Sequence, residues 1–121
     1  GVETMVPLIY SEGVAKGRIS LNRFVSIVST NPAKIFGLYP QKGTLVPGAD
    51  ADIIIFDPKK ERIIHPELLQ TNCDWSPYEG MTVKGYPHMT ICRGKVVAEN
   101  GKFIGQAGYG RFLKRKGAGS L

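Results

Sequence analysis

Residues 31–52 read NPAKIFGLYPQKGTLVPGADAD, and a helical signal gives way within them to a β-sheet signal. Asn31 is a favourable helix cap, Pro32 fits the first helical position, and Gly37 can end the helix in the left-handed conformation. The β-rich run at residues 53–56 follows directly. This stretch therefore predicts a short capped helix that is followed by a small sheet.

Two more helices are predicted upstream. Between Thr4 and Val14 apolar residues recur near helical spacing, and Pro7 is acceptable if it lies in the first turn. Ser20 is a good N-cap for a second helix, because an apolar stripe follows it at Leu21, Phe24, Val25 and Val28. Three short helices in succession resemble the end of a helical outer layer.

The sheet signal consists of short β-rich runs between turn residues. Residues 44–46 and 53–56 predict a hairpin or meander, which Asp57-Pro58-Lys59-Lys60 closes as a turn, and residues 62–64 can add a strand. Arg93-Gly94 and Asn100-Gly101 predict two further hairpins. The strands that these hairpins join are predicted at residues 88–92, 95–99 and 102–104.

Two segments lack regular periodicity. Residues 70–86 are predicted to form an ordered loop with buried mass from Cys73, Trp75, Tyr78 and Met81. Trp75 is interpreted as a packing anchor of this loop in preference to a ligand contact. Residues 106–121 predict a basic arm whose evident anchors are Phe112 and Leu113.

Composition is that of a soluble globular protein, with 121 residues, 42% hydrophobic and 21% charged. The longest apolar run, Ile53 to Phe56, is far shorter than the roughly 20 residues that a membrane span needs. The net charge is +6, but four positive charges lie in the arm at Arg111, Lys114, Arg115 and Lys116. Because Gly1 is not preceded by a Met or a leader, we expect a processed or dissected piece.

Catalytic motifs are sparse. His65 and His88 lie in different predicted segments, so a shared metal site is disfavoured. Asp50 and Asp52 project to one face of an extended chain and could serve acid–base or cation chemistry, but bracing the turn before the strand is favoured. The spacing of Cys73 and Cys92 favours reduced cytosolic thiols. Nucleic-acid binding by the basic arm is the less favoured interpretation.

The order of several short motifs resembles the C-terminal end of hydantoinases and dihydropyrimidinases, which are cyclic-amide hydrolases of the amidohydrolase superfamily. These motifs are Asn31-Pro32-Ala33-Lys34, the run from Gly48 to Asp52, Tyr78-Glu79-Gly80, and the run from Gly108 to Arg115. Dihydroorotases and allantoinases share much of the same string. Collapsin response mediator proteins share the architecture without the metal ligands, so a non-catalytic scaffold is the alternative.

The resemblance implies an α+β fragment, with the last outer helices of a (β/α)8 barrel followed by the C-terminal half of a small β-sandwich. Residues 1–39 would belong to the barrel, 40–105 to the sandwich, and 106–121 to the C-terminal arm. Such enzymes hydrolyse a ring amide with two divalent metal ions, zinc in the expected case. No catalytic, substrate-binding or metal-binding position of the family has a counterpart in this sequence, so the fragment alone is expected to be inactive and to hold no cofactor.

The resemblance also implies partners. We expect contact with the remainder of the parent chain, and a cytoplasmic homotetramer in which the arm lies on a neighbouring subunit. Neither nucleic acid nor membrane is an expected partner.

Overall fold

The computed structural model describes residues 1–115, which form two helical segments followed by an antiparallel sheet. The first segment is α1 (Val2–Ile9) with a π-helical turn at Tyr10–Val14. The second consists of α2 (Leu21–Val25), a π-helical turn at Ser26–Thr30, and α3 (Asn31–Ile35). The strands are β1 (Ile53–Ile63), β2 (Thr82–Cys92), β3 (Lys95–Glu99) and β4 (Lys102–Phe103), and a 3-10 turn lies at Pro66–Leu68.

Helix boundaries agree with the prediction at Ser20 and at Gly37, which ends α3 with φ of 68°, and they differ at two prolines. The Ser20 hydroxyl accepts a hydrogen bond from the Arg23 backbone N–H at 3.2 Å, which confirms the predicted N-cap. Asn31 is not a cap, because its backbone N–H bonds to the Ser26 carbonyl and the helical path continues through Pro32. Pro7 likewise lies inside α1 and not in its first turn, since the helix starts at Val2.

The sheet has the order β1-β2-β3-β4, so every strand pairs with its neighbour in sequence. Both predicted tight hairpins are confirmed. Arg93 and Gly94 have φ values of 45° and 79°, and Asn100 and Gly101 have φ values of 51° and 81°, as two-residue hairpins require.

Strand β1 is longer than predicted and contains the residues that were expected to end it. The pairs Asp57↔Tyr86 and Glu61↔Lys84 flank a bulge, in which residues 58–60 lie opposite Gly85. The Asp57 carboxylate accepts the Lys59 backbone N–H at 2.9 Å, so the predicted turn chemistry is present but produces a bulge instead of a strand end.

Two other predicted elements are wrong. Residues 44–46 form a bend and not a strand, because the Gly43 carbonyl accepts the Thr30 hydroxyl and the segment wraps against the helix end. The loop after residue 70 ends at residue 81, since β2 starts at Thr82. Its expected buried mass is also wrong, because four side chains are exposed: Cys73, Trp75, Tyr78 and Met81.

The core lies between the helices and the β1–β2 half of the sheet. Tyr10 contacts Phe56 and Phe24 with ring centroids 4.6 and 5.6 Å apart. A second cluster consists of Ile64, Val83 and Tyr86, against which Leu8 and Leu69 pack. The Ser11 hydroxyl, which is buried, accepts the Lys84 backbone N–H at 3.0 Å and fixes the first helical segment to β2.

Gly85 tests this packing. Its φ is +92°, and a Cβ there would lie 2.6 Å from Tyr10 Cε1, so alanine meets both backbone strain and overpacking. We expect Gly85→Ala to lower the free energy of unfolding by roughly 2–4 kcal/mol in urea titrations. Gly48→Ala is the matched control, because Gly48 has the same φ with open space around it. Equal losses in the two variants would show that the Tyr10 contact contributes nothing.

Candidate functional site

The acidic pair predicted from the sequence lies in a compact charged cluster before β1. Lys42 Nζ contacts the carboxylates of both Asp50, at 2.9 Å, and Asp52. The Lys42 side chain is only 16% exposed, so most of its surface is covered by neighbouring groups. Gln41 donates to Asp50 at 3.1 Å, and the Arg93 backbone N–H donates to Asp52 Oδ1 at 2.8 Å. We call Lys42, Asp50 and Asp52 the charge clamp.

Proton affinities in the charge clamp follow from these contacts. The hydrogen bond from Lys42, supported by Gln41, lowers the pKa of Asp50. Burial alone would raise the pKa of Asp52, but Lys42 and the Arg93 N–H outweigh it and lower that pKa. Burial would lower the pKa of Lys42, but Asp52 and Asp50 outweigh it and raise that pKa. Both carboxylates are bound to the lysine, and these contacts favour a role in bracing the turn over acid–base chemistry.

The structure does not bring the histidines together. His65 Nδ1 lies 3.8 Å from Glu79 Oε1, in the loop before β2. His88 Nδ1 lies 3.0 Å from the Asn100 side chain at the β3–β4 turn. Within residues 1–115 no three His, Cys, Asp or Glu side chains converge in a way that could hold a metal ion. No helix of this part of the chain is long and apolar enough to cross a bilayer.

The start of the C-terminal arm is held by a residue that sequence reasoning missed. Phe112 is 92% exposed and therefore is not the predicted anchor. Tyr109 takes that role, because its hydroxyl donates to the Cys92 carbonyl at 3.0 Å. Arg111 reaches Asp50 at 3.6 Å, so part of the arm's positive charge meets the charge clamp. The predicted continuation of the arm over residues 116–121 lies outside the described residues.

An apolar cleft of about 990 Å³ lies between α1, the loop after residue 70 and the sheet. Its lining includes Val2, Met5, Trp75, Met89 and Phe103. Trp75 is 63% exposed, so it does not anchor the loop within the described residues, contrary to the prediction. Large exposed apolar surfaces mark sites of interaction with protein, membrane or ligand.

The cleft could not be identified from local sequence patterns. Met5 belongs to the apolar helical spacing of α1, yet it is 43% exposed and lines the cleft. Helical periodicity shows which face of a helix is apolar but not which residues cover that face. Tyr109 left a weak signal, since it is the aromatic residue between the glycines of the arm.

Removing the lysine tests the charge clamp. Lys42→Met should lower the urea unfolding midpoint of the chain near pH 7, because Asp50 and Asp52 lose their shared cation. Their lowered pKa values stabilise the fold above about pH 3.8, and this contribution is lost as the pH falls through the folded-state values. The raised pKa of Lys42 contributes below about pH 10.5 and is lost as the pH rises further.

The difference between wild type and Lys42→Met should therefore be flat between about pH 5 and 9 and shrink towards pH 3. Lys59→Met is the control, because Lys59 lies on the exposed β1 bulge. A wild-type advantage that persists unchanged at pH 3 would contradict an ionic clamp.

Comparisons of sequence and of structure both match this chain to known proteins. Residues 2–97 match the amidohydrolase family model. The chain is 51% identical to a D-hydantoinase of Geobacillus stearothermophilus over 120 residues, and 49% identical to a D-phenylhydantoinase of Escherichia coli over 116. A crystal structure of dihydropyrimidinase from Brevibacillus agri superposes with a TM-score of 0.89 at 47% identity, covering 96% of this chain and 25% of that one.

The two alignments include 99% and 96% of this chain, but only 26% and 25% of the lengths of the two relatives. This chain thus spans about a quarter of the proteins that it resembles. Because the family model matches most of its residues, the chain belongs to the amidohydrolase family.

Proposed function

We propose that this chain is the C-terminal structural portion of a metal-dependent cyclic amidase that hydrolyses the ring amide of hydantoins or dihydropyrimidines. The observation that carries the proposal is the identity of about half of all positions, over nearly the whole chain, to proteins named D-hydantoinase and D-phenylhydantoinase. A solved relative named dihydropyrimidinase supports the second substrate class. These names favour a hydantoinase or dihydropyrimidinase over a dihydroorotase or allantoinase.

The proposed reaction requires bound metal ions. The described residues do not form a site that fits such ions. Metal ions in such a site would supply Lewis-acid activation of the ring amide and a nucleophile made from water. Residues 1–115 offer no convergent set of ligands, and the acidic pair is occupied by Lys42. We propose that two zinc ions bind to groups in the remainder of the parent protein.

The proposed role of this chain is support of that centre. Residues 1–39 would form the last outer helices of a barrel, 40–105 the C-terminal share of a β-sandwich, and 106–121 an arm. Tyr10 and Phe24 from the helices contact Phe56 from the sheet, so the two parts are packed together. The remainder of the parent chain would cover the apolar cleft.

We further propose that the parent is a cytoplasmic homotetramer in which the arm lies on a neighbouring subunit. Phe112 supports this role, because an aromatic ring that is 92% exposed beside cationic Arg111 suits a partner surface.

An assay of the full protein tests the proposed function. We expect it to open hydantoin or dihydropyrimidine rings, to lose turnover after chelation, and to regain it with zinc. Asp52→Asn should keep kcat within about threefold of wild type, since losing a general acid or base costs about 100-fold or more. Absence of turnover in the zinc-loaded protein would instead favour the non-catalytic scaffold. A 100-fold loss in Asp52→Asn would place Asp52 in the chemistry.

A further inference from the structure

The first residues of the C-terminal arm are exposed except at one position. Residues 106–108 and 110–112 are exposed, whereas Tyr109 is half-buried against the β2–β3 turn. Gly108, with φ of 78°, helps to turn the chain back, and the Tyr109 N–H bonds to the Gln106 carbonyl at 3.3 Å. Among residues 106–112, Tyr109 is therefore the side chain that packs against the sheet.

Arg93 contacts Tyr109 through both its side chain and its backbone. Its guanidinium carbon lies 4.2 Å from the centre of the Tyr109 ring, and its Nη2 donates to the Tyr109 carbonyl. In the opposite direction, the Tyr109 hydroxyl donates to the Cys92 carbonyl, with the Arg93 carbonyl at 3.4 Å. Lys95 adds a second cation 5.1 Å from the same ring.

The backbone of Arg93 makes this arrangement informative. Arg93 has φ of 45° at the first position of a tight hairpin, where asparagine and glycine are the favoured residues. The neighbouring hairpin of the same sheet has asparagine there, with Asn100 at φ of 51°. An arginine in the left-handed region carries strain that Asn100 does not, and such strain is found where a side chain has a specific task.

We propose that Arg93 and Tyr109 form a latch that fixes the direction in which the C-terminal arm leaves the sheet. The latch is joined to the charge clamp, because the Arg93 N–H bonds to Asp52 and Arg111 contacts Asp50. The end of the helical region, the start of β1 and the arm are thereby tied at one corner of the molecule. This inference concerns the arm alone and stands whether or not the parent protein hydrolyses cyclic amides.

Hydrogen–deuterium exchange of the full protein tests the latch, read in peptides that cover residues 106–111. Arg93→Asn should speed exchange there by about tenfold, because it removes both the cation over the ring and the bond to the Tyr109 carbonyl. The melting temperature should stay level or rise, since asparagine suits the hairpin backbone better. Tyr109→Phe should speed exchange by a smaller factor, because it removes only the hydroxyl bond.

Tyr78→Phe is the matched control, because Tyr78 is an exposed tyrosine in the loop between residues 70 and 81. It should leave exchange in residues 106–111 unchanged. Unchanged exchange in Arg93→Asn would overturn the latch. A fall in melting temperature with equally faster exchange across the whole sheet would also overturn it, because Arg93 would then be a general stabiliser of the hairpin.

Discussion

The main physical constraint on this chain is exposed apolar surface. Many apolar side chains of residues 1–115 are not covered by other residues of that range. Buried hydrophobic residues are few, at Phe24, Ala33, Ile64, Val83 and Tyr86, whereas aromatic and aliphatic side chains such as Trp75, Phe103 and Leu45 are largely exposed. Burial of apolar surface is the dominant favourable contribution to folding. Coverage of the apolar cleft by the remainder of the proposed parent enzyme would therefore add to the stability of the helices and sheet.

Polar contacts concentrate where the apolar core ends. The Thr30 hydroxyl bonds to the Gly43 carbonyl, Lys42 joins Asp50 to Asp52, and Asp52 holds the β2–β3 turn through Arg93. These contacts connect the end of the second helical segment to the first strand and to the far hairpin. A network of this kind holds a connection in one geometry where hydrophobic contacts are sparse, and it engages both carboxylates of the acidic pair.

Local chemistry in the sequence predicted much of this fold and little of its surfaces. Ser20 and the Asn100-Gly101 turn behave as predicted, because a cap and a tight turn depend on neighbouring residues alone. Asp57-Pro58 failed as a strand end because the long pairing partner β2 carried the strand past the bulge. The exposure of Trp75 was missed, since periodicity and composition do not show which surfaces another part of a protein covers.

Fragment complementation can show whether this chain supports a reaction centre that lies outside it. The 121-residue chain and the upstream portion of its parent would be produced separately and together, and ring opening would be measured with zinc present. Neither part alone should open the ring, whereas the two combined should, because in the proposed function the reactive groups lie outside this chain and this chain supports them. Turnover by the 121-residue chain alone, or undiminished turnover by the upstream portion without it, would contradict the proposed supporting role of this chain.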